Sequence, residues 1–234
     1  MKTSNKILFG SGLLIVTLIV LLLIVSLILL NKSLTRDDSY DSLEQRVVTQ
    51  YDLRDFKEIE VNDNWTVTIR QGEKYAVEVS APQHVLDRTR VEVTGGRLRF
   101  ENHTRIRRKG DLEALITMPV IERISSADAA LIEVEDFTCN QLKIKLDGAS
   151  KLRGRGNVIT DLYLNCNGAA QIDLYDSSVK NARLDVNGAG YIQLEMDGGE
   201  LTGSAAGAAK IVYTGTVSAE NVRTAGVVSV RHRD

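Results

Sequence analysis

The sequence contains few of the residues on which many domain classes depend. Among 234 residues there are two Cys, two Pro and one Trp, and aromatic residues make up 5% of the chain. Two cysteines, Cys139 and Cys166, cannot build a disulfide-rich scaffold, and neither belongs to a CxxC pair or a histidine-rich stretch that would indicate zinc. The scarcity of aromatic residues disfavours a large helix-packed core, whereas 18 Gly favour many short turns.

Neither sign of charge dominates the chain. It carries 29 basic and 31 acidic residues, for a formal net charge of −2. A chain so close to neutrality has no global field that attracts polyanions, so we expect no nucleic-acid binding.

The sequence also lacks the motifs of common enzyme classes. There is no HExxH, GxSxG or Walker A motif, and His84, His103 and His232 lie far apart in the chain. Gly188 and Gly190 begin a dinucleotide-like pattern that has no third glycine, so we interpret them as turn residues. The sequence therefore predicts no catalytic, cofactor-binding or metal-ligating residue.

One long hydrophobic run lies near the N-terminus. Residues 7–30 contain no charged side chain and, as a helix, would cross a hydrocarbon core of about 30 Å. The run ends without the small-residue pattern of a cleavage site, and Lys2 and Lys6 bias the N-terminus toward the cytoplasm. We predict an uncleaved single-pass anchor with a short cytoplasmic end over residues 1–30, followed by a polar linker over residues 31–50.

Residues 51–119 alternate apolar and polar side chains with a period of two, which predicts β-strands. Residues 65–79 predict one hairpin with its turn at Gln71-Gly72-Glu73. Residues 91–100 predict a second, with its turn at Gly95-Gly96. We expect these hairpins to cover one end of the repeat that follows.

A dense basic cluster interrupts this region. It consists of Arg105, Arg107, Arg108 and Lys109, close to His103. Guanidinium groups bind phosphate and carboxylate oxygens bidentately, so the cluster is a candidate site for phosphate or an anionic glycan. A solvated loop between strands explains the same charges.

From residue 120 onward the sequence repeats with a period of about twenty residues. Turn residues recur 19 or 20 positions apart, at Asp128, Gly148, Gly168, Gly188, Gly207 and Gly226. Apolar residues alternate on both sides of each turn, and Gly at the corner provides the positive φ of a tight turn. We predict that residues 120–234 form a β-solenoid of six stacked coils, about 30 Å long at about 4.8 Å per coil.

Stacking in register assigns structural roles to chemically suggestive side chains. Cys166 aligns with Leu146 and Val186, which predicts a buried free thiol, although a single disulfide with Cys139 stays open outside the cytosol. Two outward rows follow from the same register: a charge ladder of Glu133, Arg153 and Asp173, and a polar turn row of Asp147, Asn167 and Asn187.

The stretch from about residue 51 to residue 230 resembles the head GIN domain family, which is described as "putative auto-transporter adhesin". The resemblance is carried by Phe56-x-x-Ile59-x-Val61, the turns at Gln71-Gly72 and Gly95-Gly96-x-Leu98, the Met118-Pro119 step and the repeated Asn-Gly-Ala turns. It implies a right-handed parallel β-helix in the bacterial cell envelope and supplies no catalytic residues. The sequence departs from the family pattern at Asp128, where Gly is expected, and in its uncleaved anchor.

Three functional hypotheses follow. The first is a non-catalytic extracytoplasmic envelope module, periplasmic if the cell is Gram-negative, that binds glycan or protein, self-associates or serves as a scaffold. The second is a polysaccharide lyase or hydrolase of the β-helix type that uses Arg153 and Asp173. The third is a component of an envelope-stress sensor, for which residues 1–6 leave little room in the cytoplasm.

Overall fold

A computed structural model of the chain describes residues 46–102 and 112–234. Three predicted features lie outside the described residues: the anchor, the linker up to residue 45, and the basic cluster of Arg105, Arg107, Arg108 and Lys109. In the two described ranges no helix is long and apolar enough to cross a membrane.

The described residues form seventeen strands and one short helix. In chain order they are β1 (Arg46–Tyr51), β2 (Glu58–Val61), β3 (Thr66–Gln71), β4 (Ala76–Pro82), α1 (Gln83–Leu86), β5 (Thr89–Thr94), β6 (Arg97–Asn102), β7 (Glu113–Met118), β8 (Arg123–Ser126), β9 (Leu131–Glu135), β10 (Thr138–Leu146), β11 (Lys151–Gly168), β12 (Gln171–Gly188), β13 (Tyr191–Asp197), β14 (Glu200–Gly207), β15 (Lys210–Thr216), β16 (Ala219–Gly226) and β17 (Ser229–His232).

The strands stack into two long parallel ladders. Ladder one runs β6, β2, β8, β10, β11, β12, β14, β16. Ladder two runs β7, β3, β9, β11, β12, β13, β15, β17. β11 and β12 contribute to both ladders because each is 18 residues long and passes through a corner of the coil. The predicted β-solenoid of about six turns with coils of about 20 residues is thereby confirmed.

The first strands of the solenoid lie inside the stack. β2 pairs in parallel with both β6 and β8, and β3 pairs in parallel with both β7 and β9. β2 and β3, which come first in the chain, therefore form an inner coil. β6 and β7 pair with one side of this coil, and β8 and β9 pair with the other side. Antiparallel strands close the first end: β5 pairs with β6, β4 with β7, and β1 with β4.

One of the two predicted hairpins is wrong. β3 and β4 do not form a pair in the described part of the chain, because both edges of β3 are occupied by β7 and β9, and β4 pairs instead with β7 and β1. The second hairpin is confirmed: β5 and β6 are antiparallel across Gly95-Gly96, whose φ values of 61° and 75° are those of a type I′ turn.

The predicted linker also ends earlier than expected. Residues 46–50 belong to β1, which pairs with β4 along its whole length. Its side chains are largely exposed, so they show no apolar alternation that the sequence could reveal. Backbone pairing with β4 holds this strand, and the Arg46 side chain adds a hydrogen bond from Nη2 to the Ser80 carbonyl oxygen at 2.8 Å.

The core is a column of aliphatic side chains that point inward from successive coils. Ladder one contributes two inward rows. The first row is Ile124, Ile144, Leu164 and Leu184, and the second row is Leu146, Cys166, Val186 and Ala205. Cys166 is 1% exposed, and its predicted alignment with Leu146 and Val186 is confirmed. Near the closed end the column ends in aromatic packing, where the rings of Trp65 and Phe100 are 4.7 Å apart between centroids.

The predicted corner residues stack directly on one another. Gly168, Gly188, Gly207 and Gly226 all have positive φ, between 86° and 139°. A Cβ on Gly168 would lie 2.7 Å from the Gly148 carbonyl oxygen, and the other three corner glycines meet the preceding glycine in the same way. Close approach of consecutive coils therefore excludes a side chain as strongly as the backbone angle does. At the start of the row, the Asp128 carboxylate accepts a hydrogen bond of 2.9 Å from the Asp63 backbone N–H.

Candidate binding face

The outward side chains of ladder one form two rows that run along the stack. The first row is Arg97, Glu58, Arg123, Lys143, Tyr163, Arg183, Thr202, Asn221, and the second is Arg99, Glu60, Ser125, Lys145, Asn165, Asp185, Ser204, Arg223. We call this surface the charged face. Alternation along each strand turns these side chains to solvent, and stacking sets neighbours within a row about 4.8 Å apart.

At the closed end of the charged face the charges neutralise one another. Arg97 pairs with Glu58 at 2.6 Å and with Glu60 at 3.1 Å, and Arg99 pairs with Glu60 at 3.3 Å. Burial would raise the pKa of Glu60, but hydrogen bonds from Asn62 and Arg97 outweigh it and hold that pKa below its ordinary value. This end of the face is occupied by its own ion pairs.

The middle of the charged face differs because an exposed aromatic ring lies between two cations. Tyr163 is 39% exposed, and the register places Lys143 on one side of it and Arg183 on the other. Both cations are exposed, and neither makes an ion pair with any residue in the ranges 46–102 and 112–234. A groove of about 360 Å³ runs between these side chains and is also lined by Arg123, Lys145 and Asp185.

Nearby carboxylates are already engaged by their own neighbours. Asp147 accepts from Lys145 Nζ at 2.8 Å and from Asn167 Nδ2 at 2.9 Å, and these two hydrogen bonds lower its pKa. Asp185 accepts from Asn165 at 3.2 Å and from Asn187 at 3.1 Å. These contacts leave the charge of Lys143 and Arg183 available to a ligand.

The predicted polar turn row borders the same face. Asn167 Nδ2 donates to Asp147 Oδ1 at 2.9 Å, and Asn187 Nδ2 reaches Asn167 Oδ1 at 3.5 Å one coil further on. The predicted stacking of these three residues is therefore confirmed. Side-chain amides that bond from coil to coil fix the corner and the register of the outward rows beside it.

The second ladder carries the predicted charge ladder. Arg153 is in register with Glu133 on one side and Asp173 on the other, as predicted. The row continues with Gln193, Val212 and Arg231, so opposite charges alternate over only part of it. Strand spacing accounts for the proximity of Arg153 and Asp173.

Neither thiol is activated for chemistry. Burial raises the pKa of Cys166 to about 12, assisted by the charges of Asp147 and Asp185, and burial raises the pKa of Cys139 to about 11. Both cysteines are free. Among the residues that the structure describes, no three His, Cys, Asp or Glu side chains are grouped to hold a metal ion.

Sequence reasoning missed the middle of the charged face. It directed attention to the basic cluster at residues 105–109, which lies outside the described residues, and it followed only two of the outward rows, those of Arg153 and Asn167. The signal was present, since Lys143, Tyr163 and Arg183 are separated by one repeat length each. Alignment of every outward position along the repeat, and not of those two rows alone, would have brought them together.

The chain matches the model of a known protein family over most of its length. The family is described as "Putative auto-transporter adhesin, head GIN domain", and the matches cover residues 55–216 and 162–234. No curated protein matches the chain significantly.

Solved structures resemble the chain in fold. A "putative adhesin" from Bacteroides fragilis NCTC 9343 superposes with a TM-score of 0.67 at 15% identity, over 81% of this chain and 98% of that one. A "putative lipid binding protein" from Parabacteroides distasonis ATCC 8503 superposes with a TM-score of 0.54 at 13% identity, over 82% and 98% of the two chains. At these identities the likeness establishes the fold alone.

Proposed function

Because the chain belongs to the head GIN domain family, we propose that it is a non-catalytic binding module of the bacterial cell envelope. Its ligand, a glycan or a protein, binds along the charged face. The observation that carries this proposal is the middle of that face, where two exposed cations, without ion pairs in the described part of the chain, flank an exposed aromatic ring. Enzymes concentrate perturbed acids and bases in a pocket, whereas this surface spreads its polar groups along parallel rows.

A rigid scaffold suits this role. Each coil is hydrogen-bonded to its neighbours on both sides, so the outward side chains hold fixed spacings without any ligand. Preorganised side chains lose little entropy on binding, which favours affinity from a small number of contacts.

We further propose that the module is held outside the cell by the anchor predicted over residues 1–30, with residues 31–45 as the tether. The support is the uncharged run at residues 7–30, which matches the thickness of a bilayer. We expect the coils to wind with the right hand, which parallel crossover connections strongly prefer.

Binding to isolated envelope material tests the proposed function. The full chain, purified in detergent, is incubated with peptidoglycan sacculi, extracted envelope polysaccharide and solubilised envelope proteins, and retention is measured at increasing concentrations. We expect saturable retention on at least one fraction. Absence of retention on every fraction would refute the binding role.

Turnover assays test the non-catalytic part of the proposal. The full chain is incubated with a panel of acidic polysaccharides, and reducing ends and unsaturated products are measured. We expect no product above the level of a heat-denatured sample. Turnover that disappears in Arg153→Ala or Asp173→Asn would establish the enzyme hypothesis instead.

A further inference from the structure

We propose that the groove around Tyr163 binds a carboxylated polysaccharide, with a sugar ring packed on the Tyr163 ring and sugar carboxylates paired with Lys143 and Arg183. This inference rests on the proposed function, because it names the ligand class for the same face.

The spacing of the three side chains suits a short stretch of a glycan chain. Lys143, Tyr163 and Arg183 occupy the same position on three consecutive strands of ladder one. Two strand spacings separate the cations by about 10 Å between Cα atoms, with the ring midway. A polysaccharide lying along the stack would cross the strands and meet the cation, the ring and the second cation in order.

The local charge selects an acidic polymer. Lys143 and Arg183 have no carboxylate partner in the described ranges, whereas Lys145 is paired with Asp147 at 2.8 Å. Arg97, Arg99 and Arg123 are likewise directed to Glu58 and Glu60 at the closed end. Within the described ranges the two central cations have no carboxylate partner, so a carboxylated ligand would supply one, and Arg pairs with carboxylate in a bidentate geometry.

The aromatic ring selects a sugar among acidic polymers. Tyr163 is 39% exposed and combines an apolar ring with a hydroxyl, two groups that match the C–H face and the hydroxyls of a pyranose. A nucleic acid would also stack on Tyr, but proteins that bind single strands stack successive bases on several aromatic side chains, and Tyr163 is the one aromatic residue in the two outward rows. The carboxylated glycan is therefore the better match.

Titration calorimetry with polygalacturonate tests the inference, and its methyl-esterified form provides a neutral polymer of the same backbone. We expect the full chain to bind polygalacturonate and to lose about tenfold or more in affinity for the ester. Tyr163→Ala and the double variant Lys143→Gln/Arg183→Gln should each weaken binding by about tenfold, the change expected from loss of one ring contact or one pair of charges.

Ladder two offers matched control variants. Tyr191 is followed in its row by Lys210, whose Nζ lies 5.5 Å from the ring centroid, and Lys151 lies two strands earlier. Tyr191→Ala removes one tyrosine ring and Lys151→Gln/Lys210→Gln removes two positive charges from ladder two, and both variants should leave affinity within twofold. Circular dichroism of every variant verifies that the solenoid is intact.

The inference is overturned by equal binding of acid and ester, by equal losses in the control variants, or by tighter binding of single-stranded DNA or anionic phospholipid vesicles through the same residues. If polygalacturonate fails to bind while an envelope fraction still retains the chain, the ligand class is wrong and the proposed function stands. If neither binds, both fail.

Discussion

At each coil corner a single residue decides whether consecutive coils can stack. The corner glycines combine positive φ with a backbone carbonyl from the preceding coil in the space where a Cβ would lie. Gly95, in the β5–β6 turn, has a φ of 61° but nothing within 4 Å of its Cβ position. At Gly188, where φ is 139°, both the backbone angle and the close approach are therefore more demanding than at Gly95.

We expect Gly188→Ala to destabilise the fold more than Gly95→Ala. The left-handed backbone at Gly95 costs Ala about 1–2 kcal/mol, and the backbone at Gly188 lies in a region populated almost only by Gly, at about 1–3 kcal/mol. At Gly188 the new methyl group would also press on the Gly168 backbone, which adds about 1–3 kcal/mol of strain. Urea unfolding of both variants measures the difference, and equal losses would show that close approach of the coils is not limiting.

The two thiols differ in burial, and this sets an order of reactivity. A thiolate forms only as the pH rises toward the thiol pKa, which is about 11 for Cys139 and about 12 for Cys166. We expect neither residue to react with iodoacetamide in the folded protein near neutral pH. As the pH is raised, Cys139 should be alkylated first, as followed by mass spectrometry; earlier labelling of Cys166 would contradict its place in the core.

At the scale of the element, the long strands depend on polar groups buried at a corner. Within β11, Asn157 is 2% exposed. Its Oδ1 accepts from the Phe137 N–H at 3.0 Å, and its Nδ2 donates to the Val134 carbonyl and to Ser177 Oγ, both at 2.9 Å. One side chain thus satisfies two backbone groups of the preceding coil where β11 bends.

Asn157→Ala should therefore be costly. It leaves a buried N–H and a buried carbonyl without partners, at about 1–3 kcal/mol for each group. Ser177→Ala removes one hydrogen bond and leaves both backbone groups satisfied, so we expect a loss of about 1 kcal/mol. Chemical denaturation compares the two variants, and a similar loss in both would mean that water replaces the Asn157 side chain.

At the scale of the molecule, the inner position of β2 and β3 joins the closed end to the repeat. These strands pair with β6 and β7 on one side and with β8 and β9 on the other. Trp65 lies between β2 and β3. Its backbone carbonyl accepts a hydrogen bond from the Leu131 N–H at 2.9 Å, and its indole ring packs on the Phe100 ring. The closed end and the repeat therefore share one core.

We expect the described unit to unfold as one cooperative structure. Trp65 is the single Trp of the chain and is completely buried, so its fluorescence reports on the junction. The urea midpoint from fluorescence should coincide with the midpoint from far-UV circular dichroism, which reports on all strands. A separate, earlier fluorescence transition would show that the closed end unfolds independently of the repeat.

The sequence by itself determined the coil. A period of two inside a period of twenty places each inward residue over its counterpart, so the core row of Cys166, the Asp147–Asn167–Asn187 row and the Glu133–Arg153–Asp173 row could all be read from spacing alone. The Gly95-Gly96 hairpin could also be predicted from local sequence, because a two-residue turn with positive φ pairs the two strands that flank it.

Only the tertiary structure decided how the early strands are paired and where the charged face lies. β3 and β4 each pair with β7 and not with each other. The alternation of apolar residues shows which side of a strand is buried, but it does not show which strand lies beside it, so both pairings fit the same sequence. The free cations beside Tyr163 likewise emerged only in the folded chain. Side-chain competition decides this: Glu58, Glu60 and Asp147 engage Arg97, Arg99, Arg123 and Lys145, whereas Lys143 and Arg183 have no ion-pair partner in the described ranges.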